Sequence, residues 1–173
     1  MSYLVLRLKS RLSRWSPEEG DLDGFHYTVK ATADYPTERA LYGMIECALG
    51  YSDEYKKEKR ELEKLITFDH PIRKSDKPFK RFYDFTVGRP LKSSHKIIAA
   101  CGKNKVFNKG NEPALPITQK VYLMDSDFEV HVHGPIELLE KIGHALDFPV
   151  FTYYFGNKNC IPSERVNRGI VEE

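Results

Sequence analysis

An α+β fold, an antiparallel sheet with helices on one side, is predicted by three observations along this chain. Residues 3–9 alternate with the period of a strand, Leu4, Leu6 and Leu8 falling on one face, and 119–133 is strand-like. Two segments carry apolar residues at helical spacing between start and stop signals. The elements then follow the order strand, helix, two strands, long insertion, strand, helix, strand. That order places two helices on one face of an antiparallel sheet, the ferredoxin-like, RRM-type arrangement.

Each element has its own signal. Leu4, Leu6 and Leu8 share one face of the first strand, and Tyr3, Val5, Arg7 and Lys9 the other. A turn-rich segment at 16–24 precedes a short strand expected at 25–30. In YPTERALYGMIECALG, Thr37 is placed to cap a helix whose buried stripe is Leu41, Met44, Ile45, Ala48 and Leu49. Gly50 is placed to stop it in a left-handed conformation. Residues 55–65 are highly charged and predict a short exposed helix.

Two strand-like runs, 65–69 and 79–87, flank Pro71, Ser75, Asp76 and Pro78, a pattern expected of an antiparallel pair with a wide loop. The segment 88–116 is basic and broken by prolines and glycines. It exceeds an ordinary connection, and such loops are commonly functional. The strand at 119–133 is expected to bend near Asp125. Pro135 opens a helix striped by Leu138, Leu139, Ile142 and Leu146, and FPVFTYYF predicts a last strand.

The 173 residues make one domain, 1–173, with an insertion at about 88–118. Forty per cent of residues are hydrophobic and 30% charged, enough for one core in a soluble chain. No apolar run approaches the roughly 18–20 residues of a membrane span. The N-terminal apolar run is broken by Arg7 and Lys9, unlike a secretory signal. Cys47, Cys101 and Cys160 are odd in number and widely spaced, so neither a disulfide framework nor a zinc finger is expected. A cytoplasmic location and no membrane partner follow.

Charge is informative once mapped. Residues 71–110 hold 11 Lys and Arg against 2 Asp and Glu, whereas the rest of the chain holds 16 against 23. A stretch so positive predicts a polyanion partner, because Lys and Arg near phosphates gain Coulomb energy and release counterions.

Three segments resemble one family when taken together. They are SYLVLRLKSRLSRW, a first strand leading through basic residues to Trp15; YPTERALYGMIECALG; and YYFGNKNCIPSE, an aromatic strand end followed by Gly, Lys, Cys, Pro and Ser. They are similar to the CRISPR-associated subunit that caps the 5′ handle of the guide RNA in Cascade-type surveillance complexes. That family belongs to the RRM-like repeat-associated superfamily. The match covers 3–50 and 121–163 best. Ser10 and Ser16 stand near places where relatives carry glycine, and Asn157 replaces the usual basic residue after Gly156. Many relatives continue beyond the third motif with a further β-rich segment, so a compact version is expected.

The resemblance implies a noncatalytic guide-RNA-binding role within a CRISPR type I-like complex. Its partners would be the guide RNA and the backbone and large subunits, with target DNA contacted only through the complex. The insertion would serve as a thumb reaching a neighbouring subunit. Phosphates would be met by Arg11, Arg14, Lys80, Arg81, Arg89, Lys92, Lys96, Lys103, Lys105, Lys109 and Lys158. Gly156 would let the backbone approach a phosphate, and Trp15 and Tyr83 are candidate stacking platforms.

Two other function classes compete. Some relatives cut the precursor transcript without metal, using Tyr, Lys and His: the 2′-hydroxyl attacks the adjacent phosphate while a general base takes its proton. The corresponding residues would be Tyr51, His95 and Lys96. Adjacent residues on an extended chain point to opposite sides, which disfavours one site using both His95 and Lys96. An autonomous RNA-binding module outside CRISPR fits the composition equally well, but would bind RNA as a stable monomer. His131 and His133 share a strand face without an identifiable third ligand. No metal and no cofactor are expected, and Cys160 is expected to be a small buried packing residue.

Overall fold

The computed structural model describes residues 2–17, 29–87 and 117–172. Strand β1 (Ser2–Ser13) pairs antiparallel with the long strand β6 (Ile117–His133), from Tyr3 opposite His133 to Ser13 opposite Leu123. The alternation read from β1 decides its faces. Leu4, Leu6 and Leu8 lie opposite Val132, Val130 and Phe128, and all six are buried. Full burial of each such side chain contributes roughly 1.5–3 kcal/mol.

Helices α1 (Glu38–Leu49) and α3 (Ile136–Asp147) cover that face. Leu41, Met44, Ile45 and Ala48 come from the first, Leu139, Ile142 and Leu146 from the second. The opposite face of β1 meets β6 through charge instead. Arg7 Nε lies 2.6 Å from Asp127 Oδ1, and its Nη1 lies 3.6 Å from Glu129 Oε2.

Six further elements complete the fold. Strand β2 (Val29–Lys30) runs parallel to β6, and helix α2 (Lys56–Leu65) buries only Leu62. Strands β3 (Thr67–Phe68), β4 (Ile72–Arg73) and β5 (Lys80–Val87) pair in turn with β6, and β7 (Asn167–Glu172) pairs with β1. The result is the expected α+β fold of ferredoxin-like, RRM type, with β6 as its spine. Asp125 has φ 49°, a left-handed conformation that Asp tolerates better than most residues. The bend expected in β6 lies there.

Three expectations need correction. Residues 65–69 and 79–87 do not pair with each other. Both pair with β6, whose 17 residues present backbone groups that a separate hairpin would leave unmatched. FPVFTYYF is not a strand: the Val150 and Phe151 amides donate to the Ala48 and Cys47 carbonyls at the end of α1. Its backbone groups are spent closing a helix terminus. The edge beside β1 is taken by β7 instead. Thr37 stands at the N-cap of α1, but its hydroxyl donates to the Ser16 carbonyl at 3.2 Å and does not cap. Gly50 does end the helix, at φ 82°.

Candidate nucleic-acid interface

The strand β1 leaves the sheet at Ser13, and the next two residues determine what forms beside α1. The Arg14 amide donates to the Phe155 carbonyl at 2.9 Å, while the Phe155 amide donates to the Cys160 carbonyl at 2.9 Å. A tight loop at 155–160 is thereby tied to the end of β1. Trp15 packs beneath it, 5.4 Å from the Phe155 ring between centroids, and is 1% exposed. The Trp15 backbone is fixed by Thr32 and Ala33. Trp15 is therefore a core side chain and not an exposed stacking platform. Its large apolar area finds a better partner in Phe155 than in solvent.

Above this floor, Arg14, Arg39, Gly43, Tyr153, Gly156 and Lys158 line a cleft of about 430 Å³. Among the described residues, no Asp or Glu lines it. Among the described residues, none of the cations Arg14, Arg39 and Lys158 has an acidic partner within ion-pair distance. Burial pulls the Arg14 guanidinium below its usual range, the mark of a cation short of counter-charge. A phosphate in the cleft would supply it. Asn157 is engaged elsewhere, its Nδ2 donating to the Tyr122 hydroxyl at 3.1 Å.

The residues expected from sequence are thus divided. Arg14, Gly156 and Lys158 are brought together. Arg11 and Lys80 line a separate cleft at the bend of β6. Arg81 is held by Asp34 at 2.5 Å, and Tyr83 is half exposed on β5. Arg89, Lys92, His95, Lys96, Lys103, Lys105 and Lys109 lie outside the described residues, as does nearly all of the insertion. Tyr51 stacks on Tyr55 just beyond α1, with ring centroids 5.7 Å apart. Cys160 is fully buried, and burial raises its thiol pKa, as befits a packing residue.

His131 and His133 do share a face, and both approach Asp69 Oδ2, at 3.4 and 3.0 Å. Among the described residues no group of three or more His, Cys, Asp or Glu has the geometry to hold a metal ion. Arg39 was not anticipated from sequence. The available signal was its spacing from Gly43 and Cys47, which puts all three on the helix face opposite the buried stripe.

The family model described as CRISPR-associated protein (Cas_Cas5) matches residues 3–173. Among solved structures, a chain of a CRISPR RNA-guided surveillance complex is similar, with a TM-score of 0.68 and 26% identity over 95% of this chain. A Cas protein crystal structure gives a TM-score of 0.56 at 22% identity, again over 95% of this chain, which is a likeness of fold. This chain spans 61% of the length of each of those two chains. No curated protein matches the sequence.

Proposed function

The chain belongs to the CRISPR-associated protein (Cas_Cas5) family, and we propose that it is a noncatalytic subunit of a CRISPR surveillance complex that holds the 5′ handle of the guide RNA. The observation carrying this reading is the cleft of Arg14, Arg39 and Lys158, cationic, free of acidic lining among the described residues and lined also by Gly156. Single-stranded RNA is bound by cations that track phosphates and by planar groups on which bases stack. Tyr153 and Tyr154 line the same cleft and supply such rings. The charge of 71–110 supports a polyanion partner independently of the cleft.

In this reading the backbone and large subunits are the protein partners, target DNA is met only through them, and the setting is the cytoplasm. The chain acts as one domain, its basic insertion extending the RNA contact toward a neighbouring subunit.

The test is a gel assay of the purified protein with repeat RNA from its own source, in EDTA, with native and denaturing lanes side by side. Retarded, intact RNA is the expected result. A discrete metal-independent cut would replace this reading with that of a processing endonuclease, with Tyr51, His95 and Lys96 the first residues to substitute.

A further inference from the structure

A second cleft, also about 430 Å³, opens where β1 and β6 bend together. The ladder pairs Ser10 with Ser126 and Leu12 with Met124, and Asp125 turns left-handed between those pairs. Below the bend the hydroxyls of Ser10, Ser13 and Ser126 form a buried chain, with Oγ to Oγ distances of 3.2 and 2.8 Å. The Ser10 hydroxyl also donates to the Leu12 carbonyl at 2.9 Å. The floor is thus internally satisfied, and recognition falls to the rim.

That rim is cationic. Lys9, Arg11, Arg73, Lys77 and Lys80 line the cleft against two carboxylates, Asp125 and Asp127. Asp127 is already gripped by Arg7 at 2.6 and 2.8 Å, which leaves Asp125, among the described lining residues, to oppose five positive charges. Among the described residues, none of the five cations forms an ion pair. Arg73 is also pre-set: its guanidinium carbon lies 3.9 Å over the centre of the Phe79 ring. The phenyl group thus holds the guanidinium at the cleft.

We propose that this cleft is a separate nucleotide subsite, in which Arg73 stacks one base of single-stranded RNA while the rim lysines and Arg11 hold its flanking phosphates. A flat cation backed by an aromatic ring, beside freely placed ammonium groups, suits a base with phosphates better than either feature would alone. The volume accommodates a single nucleotide. The inference rests on the RNA-binding reading above, but adds a site that shares no lining residue with the Arg14 cleft.

The experiment is fluorescence anisotropy of the full chain with a fluorescein-labelled eight-nucleotide oligouridylate, titrated over a range of salt. Three variants are compared with the wild type: Arg73→Lys, Lys77→Gln with Lys80→Gln, and Arg14→Gln as the marker of the first cleft. Arg73→Lys keeps the charge and loses the plane, so affinity should fall about five- to tenfold with the salt slope unchanged. The double lysine variant, at two exposed positions, should flatten the slope by about 1.4. Thermal unfolding of each variant separates lost binding from lost fold. If affinity and slope are untouched in both bend variants while Arg14→Gln weakens binding, this inference is overturned and the RNA-binding reading stands. If the wild type binds no RNA, both fall.

Discussion

The carbonyl oxygen of Arg14 fills the space that any side chain at position 156 would need. A Cβ on Gly156 would lie 1.7 Å from that oxygen, and the residue has φ +100°. Two demands coincide at one position: a left-handed backbone, and direct contact with the end of β1. Gly156→Ala should therefore lower stability by about 2 kcal/mol or more and push the loop away from Arg14. Urea unfolding measures the first effect and RNA titration the second. A midpoint equal to that of the wild type would mean that the loop moves without cost.

Trp15 is the residue at which exposure and burial made opposite forecasts. Because its ring is packed on Phe155 and hidden from solvent, Trp15→Leu should act on the fold. The smaller side chain leaves part of the site empty, and a loss of about 2–3 kcal/mol is expected. RNA affinity, corrected for the folded fraction, should stay within about twofold. A variant that unfolds normally yet binds RNA tenfold more weakly would restore Trp15 to the binding surface.

The sequence made the sheet faces and the helices legible because each is a periodic pattern fixed by one residue's relation to its near neighbours. Leu4, Leu6 and Leu8 announce their face, and Gly50 its turn. What escaped were choices of partner between distant segments. Nothing local to 65–69 says that β6 is a better neighbour than 79–87, and nothing local to Val150 and Phe151 says that α1 needs its carbonyls closed. The same holds for the candidate site. Gly156 and Lys158 were visible as a glycine loop with charge, whereas Arg39 required knowing that α1 lies beside that loop. β7, with Gly169 and only two adjacent apolar residues in NRGIVE, carries too weak a pattern to stand out as a strand.

The first cleft makes a quantitative demand on salt dependence. If Arg14 and Lys158 each neutralise one phosphate, Arg14→Gln with Lys158→Gln should reduce the slope of log affinity against log salt by about 1.4. Each single variant should give about half of that. Lys158 is exposed, so its replacement should leave the unfolding midpoint close to the wild-type value. A slope that does not change would remove these two cations from the phosphate path, whatever happens to affinity at one salt concentration.

Asp147 links stability to pH in a direction that its surroundings dictate. It is the last residue of α3, where the helix dipole alone would disfavour a carboxylate. The hydrogen bonds from Arg165, at 2.7 and 2.5 Å, nevertheless hold its carboxyl below the usual range; burial opposes them and Asn167 assists at 2.8 Å. Since the folded chain binds this proton less readily than the unfolded chain, the contribution is complete above the ordinary carboxylate pKa of about 3.9. It disappears as pH falls through the lower, folded value. Urea midpoints at pH 6 and pH 3 should therefore differ less in Asp147→Asn than in the wild type. Arg165→Gln should narrow the difference in part, because Asn167 still donates to the carboxylate. Equal differences in all three proteins would mean that Asp147 titrates alike in both states, and that the tie between α3 and the segment leading into β7 contributes nothing that depends on charge.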